Sequence, residues 1–267
     1  MEGEPGGAGK LRRRPERGTV KNRKETKWYL LCSTVGKQAR QLLFPLRCPV
    51  CDRIVQPYGE KICAECVPKF KLITPPWCMC CGKKLLEEGE YCSSCKEKKH
   101  SFIRGRALYE YESAAASLYR FKYGKRQEYA DFYGEEMWKW LGGFIRGAAP
   151  DALVPIPLHK KRLRRRGYNQ AALLARALGR CAGLPVYENL LKRVKNTAPL
   201  KSQNPKERQN NLKKAFHICQ NDVKLSTIII IDDIYTTGST VEEAARVLKE
   251  NGAEKVYFLT LAGGTGI

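Results

Sequence analysis

The chain has 267 residues, enough for one or two domains with a sizeable core. Lysine and arginine total 49 against 27 aspartates and glutamates, a formal charge of +22, so a neutral surface is excluded and a polyanionic or phosphate-rich partner is expected. No run of 18 apolar residues occurs, and the composition is not that of collagen or a coiled coil. No apolar signal-type segment stands at the start. The expected compartment is the cytoplasm, with no stable membrane insertion and with the 12 cysteines reduced and open to metal ligation.

Residues 1–26 read as a disordered basic tail, with eight basic residues against four acidic ones among Gly and Pro. Trp28, Leu31, Val35, Ala39, Leu42 and Leu43 then fall on one face of a helix, which Pro45 should end. The spacing predicts a helix docked on the body. With the cysteine-rich stretch behind it, it makes a first module over residues 27–100, followed by a second domain over 101–267.

Nine of the 12 cysteines lie between 48 and 95. Eight of them form Cys-x-x-Cys pairs: Cys48/Cys51, Cys63/Cys66, Cys78/Cys81 and Cys92/Cys95. Two intervening residues let the backbone turn in a knuckle that presents both sulfurs to one tetrahedral ion at ~2.3 Å. Four pairs therefore predict two closed, structural zinc sites. Free thiols or a redox pair are the competing reading. Gly82 follows Cys81 where a left-handed residue is needed. Cys80 is an extra thiol able to swap with Cys81. Cys32, Cys181 and Cys219 are isolated and read as inert.

Beyond residue 101 the pattern changes. Arg106 to Tyr111 alternates like a strand. Tyr119 to Leu141 reads as helix broken near Gly124, with Phe132, Met137, Trp138 and Trp140 as core. Asp151–Ile156, Thr227–Ile231 and Lys255–Leu261 read as strands, and Asn169–Gly183 and Val241–Glu250 as helices. This alternation predicts an α/β domain with a mainly parallel, Rossmann-like sheet and flanking helices.

The most informative stretch runs from Thr227 to Thr240. Four isoleucines make a buried strand, Asp232 and Asp233 stand at its C-terminal end, and Thr236-Thr-Gly-Ser-Thr240 leads into a helix. Ligands of open α/β sheets bind at strand C-termini. The loop amides and helix N-terminus suit a phosphate. Two carboxylates beside it would repel a bare phosphate but would accept vicinal ribose hydroxyls. No G-x-x-x-x-G-K-[ST] accompanies the acidic strand, which argues against a Walker-type nucleotidase, and no G-x-G-x-x-G occurs.

Ile228 to Thr240 resembles the signature of type I phosphoribosyltransferases, which bind phosphoribosyl pyrophosphate. Val154-Pro-Ile-Pro-Leu-His159, Arg162, Arg166-Gly-Tyr-Asn-Gln170, Phe121-Lys-Tyr-Gly124 and the four cysteine pairs together resemble the ComF family, competence-associated phosphoribosyltransferase-like proteins with a double zinc ribbon. The resemblance spans roughly residues 28–265. It implies that Asp232 and Asp233 bind the ribose hydroxyls and that Ile234, Tyr235, Thr236, Thr237, Gly238, Ser239 and Thr240 hold the 5-phosphate. Pro157, Leu158, His159 and Lys160 would form the pyrophosphate loop, with Arg162 and Arg166 nearby. Asp232, Asp233, Lys160, Arg162 and Arg166 would carry catalysis, with Mg²⁺ brought by the substrate. Residues 195–212 would be the closing loop, where Thr197, Arg208 and Asn211 match the pattern and Leu200 and Gln203 depart from it.

Lys160 to Arg166 holds six basic residues in seven. A solvated helix start is the plain reading. The sharper ones are neutralisation of pyrophosphate and a track for single-stranded DNA, with Tyr123 and Tyr168 as stacking surfaces. Two functions follow. One is transfer of a phosphoribosyl group to a base-like acceptor in a protein linked to DNA uptake, with His159 as a candidate proton carrier. The other is a non-catalytic single-stranded-DNA-binding module that works beside a DNA-uptake helicase or processing protein.

Overall fold

Four consecutive isoleucines in a strand can all be buried only where the sheet is covered on both faces. The computed structural model describes residues 45–57, 59–194, 215–219 and 225–266. The tail and the helix expected before residue 45 lie outside the described residues. In chain order, after a 3-10 turn at Ala64–Lys69, the described elements are β1 (Lys84–Leu85), α1 (Ser93–Glu97), β2 (Arg104–Glu110), α2 (Tyr111–Tyr123), α3 (Tyr129–Ala148), β3 (Ala152–Pro155), α4 (Lys160–Arg166) and α5 (Gln170–Ala182). They continue with β4 (Leu191–Arg193), β5 (Phe216–Ile218), β6 (Thr227–Tyr235), α6 (Ser239–Glu250), β7 (Lys255–Gly263) and β8 (Thr265–Gly266).

The central sheet has four parallel strands in the order β2-β7-β6-β3. Ile229 and Ile231 face one layer, with α2, α3 and α5, while Ile228 and Ile230 face the other, with α6. On α2, Ala114, Ser117, Leu118 and Phe121 are buried, spacings of 3, 1 and 3 that form one helical stripe. Gly134 of α3 permits the close approach of α5: a Cβ there would lie 2.5 Å from the Ala177 Cβ.

The elements expected beyond residue 101 are present, with informative differences in length. The helical run does break at Gly124, into α2 and α3. The isoleucine strand continues past Ile231 to Tyr235, so both aspartates lie within it. Of the four expected core residues on α3, Phe132 and Met137 are buried and Trp138 is half-buried, but Trp140 is exposed. Two residues apart on a helix is nearly opposite faces, so the two tryptophans cannot both point inward.

The cysteine stretch forms two similar ribbons. Cys48 N–H donates to Arg53 O and Cys78 N–H to Lys83 O, both at 2.8 Å. The residue after each second cysteine is left-handed, Asp52 at φ 59° and Gly82 at φ 71°. Between the ribbons, Lys71 to Ile73 runs along β2. Ile73 N–H donates to Leu108 O at 2.9 Å and Glu110 N–H to Lys71 O at 2.8 Å, covering that sheet edge.

Candidate functional site

Side chains alternate along a strand, so the two aspartates of β6 leave it toward different layers. Asp233, on the side of α2, meets Lys122 Nζ at 3.0 Å, and both side chains are largely buried. Asp232, on the other side, accepts a hydrogen bond from Asp233 N–H at 2.8 Å. Burial, and then the charge of Asp233, push the Asp232 carboxyl up to about 7, against the pull of that N–H, Lys122 and Arg193. Arg193 ends β4 with its guanidinium 5.5 Å from the Phe216 ring centroid. Burial and the charge of Arg162 bring Arg193 down to about 10, with Asp232 opposing. Two carboxylates and three cations, Lys122, Arg162 and Arg193, thus share one strand-end region.

Beyond Tyr235 the chain turns through Thr236 and Thr237 into Gly238, which is left-handed at φ 76° and begins α6. No side chain caps α6, so no capping side chain occupies its first N–H groups, the arrangement that suits an anion at a helix N-terminus. Thr237 Oγ1 and Ser239 Oγ lie 3.0 Å apart at the rim. Tyr235 is buried beneath the loop, stacked on Phe258 at 4.6 Å, so it contributes to a ligand only through its backbone. Ile234 packs toward the helical layer of α2 and α3. A Cβ on Gly238 would sit 2.3 Å from the Tyr235 hydroxyl. Gly238→Ala should therefore combine backbone strain with that clash, a cost of about 2 kcal/mol or more. A fall of several degrees in Tm together with weaker phosphate-ligand binding is expected, read by thermal unfolding and calorimetry.

Pro157 is buried, and Leu158 and His159 are half-buried. The His159 ring accepts a hydrogen bond from Lys161 N–H at 3.2 Å and so caps α4 through Nδ1. Lys160 is exposed at the start of α4. Residues 195–212, with Thr197, Leu200, Gln203, Arg208 and Asn211, lie outside the described residues.

The eight paired cysteines gather in sequential order. Cys48, Cys51, Cys63 and Cys66 form one cluster, and Cys78, Cys81, Cys92 and Cys95 the other, each with its sulfurs within 4.8 Å of one another. The pairing of knuckles, which spacing alone left open, is thereby fixed. Cys51 and Cys63 sulfurs are 3.9 Å apart and those of Cys81 and Cys92 3.7 Å. A tetrahedron with ~2.3 Å metal–sulfur bonds has edges of about 3.8 Å, so both sets fit zinc as they stand.

Comparison with known proteins agrees with this division. The double zinc ribbon domain family matches residues 39–96 and the phosphoribosyl transferase domain family matches residues 163–265. "Competence protein F" of Haemophilus influenzae is 31% identical over 229 residues, covering 82% of this chain and 97% of that protein. The chain belongs to the ComF family. "Competence protein ComFC" of Bacillus subtilis is 33% identical over 214 residues, 76% of this chain and 84% of that protein. "DNA utilization protein YhgH" of Escherichia coli K12 is 30% identical over 204 residues, 75% and 88% of the two chains.

The ComF-like stretches now acquire physical roles. Arg166 donates to Gln170 Oε1 at 2.8 Å and to the Tyr123 hydroxyl at 2.9 Å, which ties α4 to α5 and α2. Tyr168 is buried and donates to Phe121 O at 2.5 Å, so it offers no stacking face, contrary to expectation. Asn169 caps α5 and donates to Ile156 O at 3.0 Å, fixing the loop after β3. Lys122 and Arg193 are the residues that sequence reasoning missed. Lys122 sat within the family-like Phe121–Gly124 stretch without a role. Arg193 had no signal, because its strand is three residues long and pairs with one beyond residue 214.

Proposed function

We propose that this ComF-family chain binds phosphoribosyl pyrophosphate at the C-terminal end of β6 and transfers the phosphoribosyl group to a base-like acceptor. The observation that carries this is the uncapped α6 N-terminus directly following two strand-end carboxylates. In this reading the loop amides and the hydroxyls of Thr236, Thr237, Ser239 and Thr240 hold the 5-phosphate. Asp232 and Asp233 accept from the ribose hydroxyls. Lys122 orients Asp233. Arg162 and Arg193 face the pyrophosphate and stabilise charge as it leaves. The carboxylates are the hard oxygen donors that suit Mg²⁺, which when bound would neutralise leaving negative charge. The eight ribbon thiols hold two structural zinc ions, and the protein works in the cytoplasm. Calorimetric titration with Mg²⁺ and phosphoribosyl pyrophosphate tests the reading. Saturable binding is expected, and no heat at millimolar ligand would overturn it.

A second reading is favoured by one surface. Tyr119 and Tyr123, both exposed, lie with ring centroids 5.1 Å apart on α2. The guanidinium of Arg165 lies 5.9 Å from the Tyr123 centroid. Aromatic faces beside arginines suit single-stranded DNA, in keeping with a partner in DNA uptake. Replacing Arg164 and Arg165 by Ala should flatten the salt dependence of single-stranded DNA binding, by about one slope unit per lost phosphate contact. An unchanged slope would remove DNA from this face.

A further inference from the structure

The second ribbon contains a thiol that its zinc does not need. The first ribbon reads Cys48-Pro-Val-Cys51 and the second Cys78-Met-Cys80-Cys81, so Cys80 stands where the first has Val50. Cys80, Cys95 and His100 form a further group whose ligand atoms all lie within 4.8 Å of one another. His100 Nε2 is 3.4 Å from Cys95 Sγ. Usual zinc–nitrogen and zinc–sulfur bond lengths give a tetrahedral edge of about 3.5 Å.

We propose that Cys80, Cys95 and His100 hold a third divalent ion of zinc type, with the Cys95 thiolate bridging it to the ion of the second ribbon. The imidazole is already oriented for this. His100 Nδ1 is 2.9 Å from Glu242 Oε2, and the other Glu242 oxygen accepts from Ser101 N–H at 2.8 Å. Its ring stacks on Phe102 with centroids 4.5 Å apart. A carboxylate on one ring nitrogen fixes the tautomer and directs the other nitrogen to a metal. Sharing Cys95 also spreads charge. Four thiolates on one divalent ion leave −2, whereas five thiolates on two such ions leave −1. Three protein ligands leave one position for water, so this ion should exchange more readily than those in the closed sites. Glu242 lies in the first turn of α6, which places the site one helical turn from the phosphate loop.

The proposal rests on the second ribbon holding its own ion, and the metal count separates the two claims. Full-length protein saturated with zinc and freed of excess should carry three ions per chain, one released first to a weak chelator. Cys80→Ser and His100→Gln should each carry two, with unchanged circular dichroism. Two ions in the wild type would overturn the third site and leave the ribbons intact. None or one would overturn the ribbon reading itself. ¹¹³Cd NMR of the wild type does not depend on the variants folding. Three resonances, one displaced from the four-sulfur region by nitrogen ligation, are expected. Two four-sulfur resonances alone, or a third ion retained in both variants, would overturn the proposal.

Discussion

Asp232→Asn/Asp233→Asn should bind phosphoribosyl pyrophosphate at least ~100-fold more weakly than the wild type, because each lost charge-assisted hydrogen bond costs ~1.5–3 kcal/mol. Calorimetry at constant Mg²⁺ reads this directly. The pH dependence gives a second signature. In the fold Asp232 titrates near 7, above its ordinary value of 3.8, because burial and Asp233 disfavour the anion. This group's contribution to stability is complete below about pH 4 and is lost as pH rises through about 7. Ligand binding has the opposite sign, since the ribose hydroxyls need the ionised acceptor. Wild-type affinity should rise between about pH 6 and 8, while Asp232→Asn alone shows weak, flat affinity and a Tm that gains on the wild type toward about pH 8. Equal affinity in the double variant would remove the aspartates from the site.

Those aspartates were legible because the signal is local. A run of isoleucine, a pair of acids and a hydroxyl-rich turn occupy consecutive positions, and the structure needs nothing from elsewhere to put them in order. The four cysteine pairs are legible for the same reason. What could not be read is what the sheet brings together across the chain. Lys122 reaches Asp233 from a helix far earlier in the chain, and Arg193 stands near Asp232 through a two-stranded ribbon with no periodicity of its own. The Arg166–Gln170 stretch stands out in the sequence through its resemblance to the ComF family. Most of its hydrogen bonds fasten helices to one another. Residue type gives the chemistry available, whereas long-range packing decides which partner uses it.

Replacement of a ribbon cysteine should have unequal consequences in the two ribbons. The cysteine spacing by itself implies that replacing Cys48 or Cys92 unfolds residues 48–95 and leaves the C-terminal sheet folded. The packing differs for the second ribbon. Cys78, Cys81 and Cys92 share one buried cluster with Val154, Ile230, Ala244, Leu248 and Phe258. Gly105 N–H of β2 donates to Cys80 O at 2.8 Å, and β1 pairs with β8 at the end of the chain. The first ribbon has a cluster of its own, Cys48, Val55, Cys63 and Cys66. It meets α2, α3 and the turn between them through Arg120 to Val50 O at 2.6 Å, Arg126 to Asp52 at 2.8 Å and Tyr129 to Cys48 O at 3.2 Å, with Val50 and Ile62 packed on the edge of the helical layer. A structural zinc site supplies ~10–16 kcal/mol of apparent folding energy, comparable to the ~5–15 kcal/mol that holds a whole domain. Cys92→Ser should therefore abolish cooperative folding of the sheet, with hydrogen-exchange protection lost across β2, α6 and β7. Cys48→Ser should lose protection over residues 46–70 and at the facing ends of α2 and α3, and keep a protected β6. Protection lost to the same extent in both variants, or a β7 untouched by Cys92→Ser, would show that the second ribbon is not part of the sheet's core.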